Sequence, residues 1–139
     1  MYSHIVLAAD GSENALRAAK HAVALAKLGG DGKIEVVYVA DFKKAKYEVL
    51  HAESNEALDY ERRQKVRPVE ELLLAESISY EVKILHGEPG PTIVEYVNDQ
   101  EADLVIIGSR GLNSLQEMVL GSVSHKVVKR VKAPVLVVK

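Results

Sequence analysis

The residues whose types and spacing could do chemistry lie in one stretch. It runs Gly108-Ser-Arg-Gly111, then Leu-Asn-Ser-Leu-Gln-Glu-Met-Val-Leu, then Gly121-Ser122-Val123-Ser124. An apolar run, Leu104 to Ile107, stops at Gly108, and Gly121-Ser122 opens a helical pattern. Glycine has no Cβ and tolerates φ > 0, so a backbone rich in it can lie close against a ligand. A helix N-terminus presents unpaired N–H groups and the positive end of its dipole, which together suit an anion. The hydroxyls of Ser122 and Ser124 add donors for phosphate oxygens. A strand, a glycine loop and a Gly-Ser helix start therefore read as a phosphate cradle. Taken singly, each residue also reads as ordinary structure, since glycine after a strand is a turn residue and serine at a helix start is a cap. The spacing of the whole set, Gly-x2-Gly-x9-Gly-Ser, favours the cradle. It is neither Gly-x4-Gly-Lys-Ser/Thr nor Gly-x-Gly-x-x-Gly.

A second group follows the first apolar run, as Ala9-Asp10-Gly11-Ser12. Asp10 is either a helix cap or an acidic group facing a ligand, and its position alone leaves both open. Arg110 lies inside the glycine loop, where it either pairs with phosphate or stays solvated. The five histidines, His4, His21, His51, His86 and His125, show neither H-x-H nor H-E-x-x-H spacing. They read as surface or helix residues, with His125 the exception because it directly follows the cradle. No Ser-His-Asp arrangement can be argued from these positions.

The elements that must position these groups follow from periodicity. Ile5 to Ala9 is a short apolar run, the mark of a strand covered on both faces. Glu13 to Leu28 is an amphipathic helix with Ala15, Leu16, Ala19, Ala22, Val23 and Ala26 at helical spacing, closed by Gly29-Gly30. Ile34 to Ala40 is the second strand, and 41 to 53 read as a loop with some helix. A second helix spans Asn55 to Glu76, with a kink or break expected near Arg67 because Pro68 lies inside it. Tyr80 to Leu85 alternates, as a strand near a sheet edge does. Pro91 suits the first position of a third helix reaching Gln100. Ala102 to Ile107 is the fourth strand. A last helix runs from Val119 or Gly121 to Val131, its later turns rich in Lys and Arg that oppose the helix dipole. Pro134 to Val138 is the final strand. The β-α-β-α-β-α-β-α-β order predicts a parallel sheet with right-handed crossovers, an α/β three-layer sandwich. In such sheets ligands bind beyond the carboxyl ends of the strands where the winding reverses. If the first and fourth strands adjoin there, Asp10 and Gly108 meet in one crevice.

At 139 residues the chain is read as one domain spanning 1–139, able to bury roughly two thirds of its unfolded surface. Its composition, 47% hydrophobic and 27% charged, is that of an ordinary globular protein. A formal net charge of −2 makes no electrostatic case for nucleic acid. There is no cysteine, hence no disulfide, thiolate metal site or cysteine nucleophile. No apolar run approaches the roughly 18 residues of a membrane span, and no secretory signal is visible. The expected setting is cytoplasmic.

The cradle motif, together with Ala9-Asp10-Gly11-Ser12, Gly87-x-Pro89, Ala102-Asp103 through Gly108-Ser109, and Ala133-Pro134 through Val138, resembles the universal stress protein family in its ATP-binding branch. The resemblance covers essentially the whole chain. It implies a five-stranded parallel sheet of order 3-2-1-4-5, Rossmann-like and akin to the adenine nucleotide alpha hydrolases. It implies that Asp10, with Ala9 beside it, lies near the ribose and the metal-linked phosphates. Backbone at Val39 and Ala40 would read the adenine edge. Gly108, Arg110 and Gly111 would approach ribose and phosphate, and Gly121, Ser122, Val123 and Ser124 would hold the phosphate chain. The ligand would be ATP, ADP or AMP. Mg²⁺ or Mn²⁺ would be carried mainly by the nucleotide, because an aspartate facing phosphates needs a cation between like charges.

Three readings of function follow. The leading one is an ATP-binding stress-response module in which the nucleotide acts as a stabilising or conformational ligand. A slow Mg-dependent hydrolase or nucleotidyl-transfer enzyme would use the same cradle, but no P-loop lysine or water-orienting group is evident. A nucleotide-independent dimeric interaction module is the third. A phospho-acceptor receiver is rejected, since one aspartate, not an acidic pair, follows the first strand and the third ends Leu85-His86-Gly87. Val135, Leu136, Val137 and Val138 form an apolar strand that would expose unpaired backbone at a sheet edge. In related proteins this strand pairs with its copy across a two-fold axis, which implies a homodimer.

Overall fold

The computed structural model describes residues 2–30, 32–40, 55–110 and 120–139. Its elements, in chain order, are β1 (His4–Ala8), α1 (Glu13–Leu28), β2 (Lys33–Ala40), α2 (Asn55–Ala75), β3 (Tyr80–His86), α3 (Pro89–Gln100), β4 (Leu104–Gly108), α4 (Ser122–Arg130) and β5 (Val135–Val138). All strands are parallel, in the order β3-β2-β1-β4-β5. The winding reverses between β1 and β4, the placement that the family resemblance implies.

The central strands β1 and β4 and most of β2 are buried on both faces, as their uninterrupted apolar runs require. Ile5, Leu7, Ile34, Val36, Leu104 and Ile106 face a core shared with α1 and α2. Their neighbours Val6, Ala8, Val37, Val105 and Ile107 face Ile93 and Val97 of α3 and Val127 of α4. On α1 the buried stripe is mostly alanine, at 15, 18, 19, 22 and 26, so the helix sits close to the central strands. That closeness matters at the site, because it brings the first turn of α1 against the end of β4.

Two expectations are corrected. The break expected near Arg67 does not occur, since helix α2 is continuous from Asn55 through Pro68 to Ala75. Proline removes one i→i−4 bond, to Gln64, and both residues are solvent-exposed, so the freed carbonyl is not buried without a partner. Buried Leu58, Val66, Val69 and Leu73 hold the helix down on both sides of the defect. Helix α3 begins at Pro89, not Pro91; both prolines fall in the first turn, where the missing N–H has no intrahelical partner to lose. The loop expected at 41 to 53 lies outside the described residues.

At the amino ends of the strands a buried carboxylate, Glu35, receives the Tyr96 hydroxyl at 3.0 Å and lies 3.1 Å from His4 Nε2. Burial, and then Glu35, push the Tyr96 phenol up to about 12. Nearby, the Ser3 hydroxyl and His4 N–H both donate to Asp103, holding its carboxyl below the usual range. These contacts tie β1, β2, β4 and α3 together at the end opposite the carboxyl-end crevice.

Candidate functional site

The register of β1 on β4 aligns Leu7 with Ile106. Carried two residues on, it sets Ala9 beside Gly108 at the carboxyl ends of the two strands. Asp10 and Gly108 thus share the crevice. Glycine at 108 has a local cause: a Cβ there would lie 2.8 Å from Asn14 Cβ and 3.1 Å from the Asn14 carbonyl carbon. Only glycine lets the first turn of α1 press on the end of β4.

Asp10 is not the cap of α1. Ser12 is, in extended conformation, accepting the Ala15 N–H on Oγ at 3.1 Å. Asp10 instead accepts the Ser12 N–H on Oδ1 at 2.9 Å, which aims the turn. Its Oδ2 has no hydrogen-bond partner among the described residues.

The strand ends distinguish Val39 from Ala40. Along β2, odd-numbered residues address β1: Lys33 N–H donates to Ser3 O and Val37 O accepts from Ala9 N–H. Even-numbered residues address β3: Ile34 N–H donates to Ser79 O, and Ala40 O accepts from Gly87 N–H at 3.1 Å. Val39 therefore aims its backbone groups to the β1 side, past the last rung of that ladder and over Ala9 and Asp10. Ala40 has its carbonyl committed to Gly87.

At the far side, α4 starts at Gly121, whose N-cap conformation (φ −70°, ψ 167°) carries no side-chain cap. The first intrahelical bond is His125 N–H to Gly121 O at 2.9 Å. The N–H groups of Ser122, Val123 and Ser124 precede it and have no intrahelical acceptor. Ser122 is exposed, Val123 half-buried, and Gly121 and Ser124 are buried. Among the described residues, a Cβ on Gly121 would come closest to Ser109 O, at 3.5 Å, an ordinary contact, so their packing does not demand glycine at this position.

Ser109 joins these pieces. Its N–H donates to Val138 O and its carbonyl accepts the Gly121 N–H, each at 2.7 Å. Its carbonyl also accepts the Ser124 hydroxyl at 2.8 Å, and Asn14 Nδ2 approaches its Oγ at 3.5 Å. Sequence reasoning did not single out Ser109 or Asn14. Ser109 had a signal, its place directly after Gly108; Asn14 had none. Arg110 is half-buried beside this junction, and Gly111 lies outside the described residues. The structure thus brings Ala9, Asp10, Val39, Gly108 and the start of α4 to one end of the sheet. It gives the Ser124 hydroxyl an internal partner and the Ala40 carbonyl another.

Among the described residues no three His, Asp or Glu side chains gather as a metal site. The chemistry on offer is open amides, one exposed hydroxyl and one carboxylate oxygen. That donor set suits an anionic ligand carrying its own cation. Among the same residues, no helix is long and apolar enough to cross a membrane.

The universal stress protein family model matches residues 1–139. Universal stress protein MJ0531 of Methanocaldococcus jannaschii is 34% identical over all of this chain and 83% of its own. The solved structure of protein MJ0577 superposes with a TM-score of 0.85 at 32% identity, covering 100% of this chain and 96% of that one. A universal stress protein solved in complex with cAMP superposes with a TM-score of 0.71 at 25% identity, covering 99% and 96%. With the whole chain matched by the family model and the five-stranded fold shared, this protein belongs to the universal stress protein family.

Proposed function

We propose that the chain binds an adenine nucleotide, ATP with Mg²⁺ or Mn²⁺, across the carboxyl ends of β1, β2 and β4, and serves as a cytoplasmic nucleotide-responsive stress module. One observation carries the reading: at the start of α4, Gly121 makes no side-chain cap, and among the described residues no side chain caps the first N–H groups of the helix. Such a helix end attracts phosphate through its amides and its dipole. Ser122, Val123 and Ser124 would hold the phosphate chain by their amides, with Gly121 leaving room and the Ser122 hydroxyl adding a donor. Gly108, Arg110 and Gly111 would flank ribose and phosphate, Asp10 Oδ2 would face the ribose and the metal, and Val39 backbone would read the base. Ala9 would set the floor, and Ala40 would hold β2 in place through Gly87. A relative complexed with cAMP supports an adenine nucleotide as the ligand class.

Self-association through β5 belongs to the same proposal. Val135, Leu136 and Val137 are only half-buried on an edge strand, whereas the other edge, β3, carries the Lys33–Glu81 and Lys83–Glu81 ion pairs. Charge discourages edge pairing and an apolar edge invites it. Light scattering at micromolar concentration should return twice the chain mass; the single-chain mass would remove the dimer from the proposal.

The deciding experiment is to denature the purified protein and identify released small molecules, then titrate Mg-ATP and follow the unfolding midpoint. A ligand at a hundred times its Kd adds about 2.7 kcal/mol to the folded state. Released adenine nucleotide, or a clear upward shift that Gly121→Val abolishes, supports the reading. Neither release nor shift at millimolar Mg-ATP would leave a dimeric interaction module.

A further inference from the structure

Two serines open α4, and the geometry gives them different work. Ser122 is exposed at the first helical position. Ser124, two residues on, is 2% exposed, and its hydroxyl donates to Ser109 O at 2.8 Å and approaches Gly121 O at 3.1 Å. A hydroxyl has one hydrogen, and here that hydrogen is held by carbonyls on the protein side. The same Ser109 carbonyl takes the Gly121 N–H at 2.7 Å, and the Ser109 N–H is anchored on β5. One buried carbonyl at the end of β4 therefore grips the start of α4 twice, by the cap residue and by the third residue of the helix.

We infer that Ser124 is a positioning residue of the cradle: its side chain touches no phosphate, and by binding Ser109 O it holds the open amides of Ser122, Val123 and its own backbone at the crevice. The inference rests on the nucleotide reading proposed above. It matters because donors at a helix end act on an anion only at hydrogen-bond distance, so a helix start free to swing would forfeit several weak contacts together. Gly121 makes the clasp necessary. At Gly121, among the described residues, no side chain caps the first N–H groups of α4, unlike α1, which Ser12 closes with its own oxygen.

The test uses the full chain and two readouts: Mg-ATP affinity by calorimetry, and amide hydrogen exchange of Gly121 in the nucleotide-free protein. Ser124→Ala should weaken Mg-ATP by about fivefold to tenfold, the worth of one net hydrogen bond, and should speed Gly121 exchange with no ligand present. Ser124→Cys keeps a weak donor in nearly the same volume and should fall between wild type and alanine on both scales. Ser122→Ala should weaken Mg-ATP and leave Gly121 exchange alone. Weaker binding in Ser124→Ala with exchange unchanged would make Ser124 a direct ligand and overturn the inference. Faster exchange with unchanged affinity would make the clasp purely structural and overturn it as well. Absence of Mg-ATP binding in the unsubstituted protein would instead overturn the nucleotide reading itself, and this inference with it.

Discussion

Helices α1 and α4 begin at the carboxyl ends of adjacent strands, and their cap residues adopt nearly the same backbone, φ −81° and ψ 164° at Ser12 against φ −70° and ψ 167° at Gly121. Their chemistry is opposite. Ser12 closes α1 with its own oxygen, and Asp10 takes the Ser12 amide, so that end is largely satisfied from within. Gly121 offers no oxygen, and the serine that could have supplied one, Ser124, turns away to Ser109 and to the Gly121 carbonyl. The same backbone turn is sealed in one place and left open in the other. The difference also separates two kinds of glycine. Gly108 is imposed by packing, with Asn14 where its Cβ would be; at Gly121 the described residues leave ordinary space for a Cβ.

Breaking the packing side of this contrast should have the largest effect on stability. Gly108→Ala forces a Cβ to within 2.8 Å of Asn14, and the close neighbours include Asn14 backbone, which cannot swing aside. Overpacking of this kind costs about 1–3 kcal/mol, to be read from urea unfolding; a neutral outcome would mean that α1 does not press on β4 as described. Ser12→Ala removes the α1 cap and should cost about 1 kcal/mol in the same measurement, with Mg-ATP affinity within twofold of wild type.

The reverse experiment closes the open helix. Gly121→Asp supplies α4 with a cap and a favourable charge, and a Cβ fits there, so the unliganded protein should gain about 0.5–1 kcal/mol and lose Mg-ATP binding. Unchanged binding in that variant would dissociate the crevice from phosphate. The smallest effect lies at the other end of the sheet. The Asp103 carboxyl is held low by the Ser3 hydroxyl and the His4 amide, so it contributes stability above its ordinary value of 3.8 that is lost as pH falls through its folded-state value. Asp103→Asn should flatten that acid-side decline in a pH series of unfolding midpoints. A wild-type profile retained by the variant would locate the decline elsewhere.

Much of this was legible in the chain because the signals are local. Short apolar runs, one alternating stretch and helical spacing marked nine elements, and the bounds of α1 came out as Glu13 to Leu28, set by Ser12 before it and Gly29 after it. Element order implied a parallel sheet, while the strand order that sets the crevice between β1 and β4 came from the resemblance to the family. Pro68 did not end α2, because Pro68 and Gln64 lie on the exposed side while buried residues hold the helix on either side, which the local pattern did not reveal. Pro91 misled by two residues because Pro89 meets the same first-turn condition.

What the sequence by itself determined, then, is the set of elements, the glycine and serine spacing, and the end of the sheet at which those residues gather. Only the tertiary structure decided the work of each polar group there. A hydroxyl or amide has no role until a partner comes within about 3 Å, and here the partners are distant in sequence. Ser109 lies 15 residues before Ser124 and 95 residues after Asn14. Val39 and Ala40 are neighbours in the chain, yet the pleat of β2 turns one to the crevice and the other to β3. That assignment depends on which strands flank β2, and so on the assembled sheet.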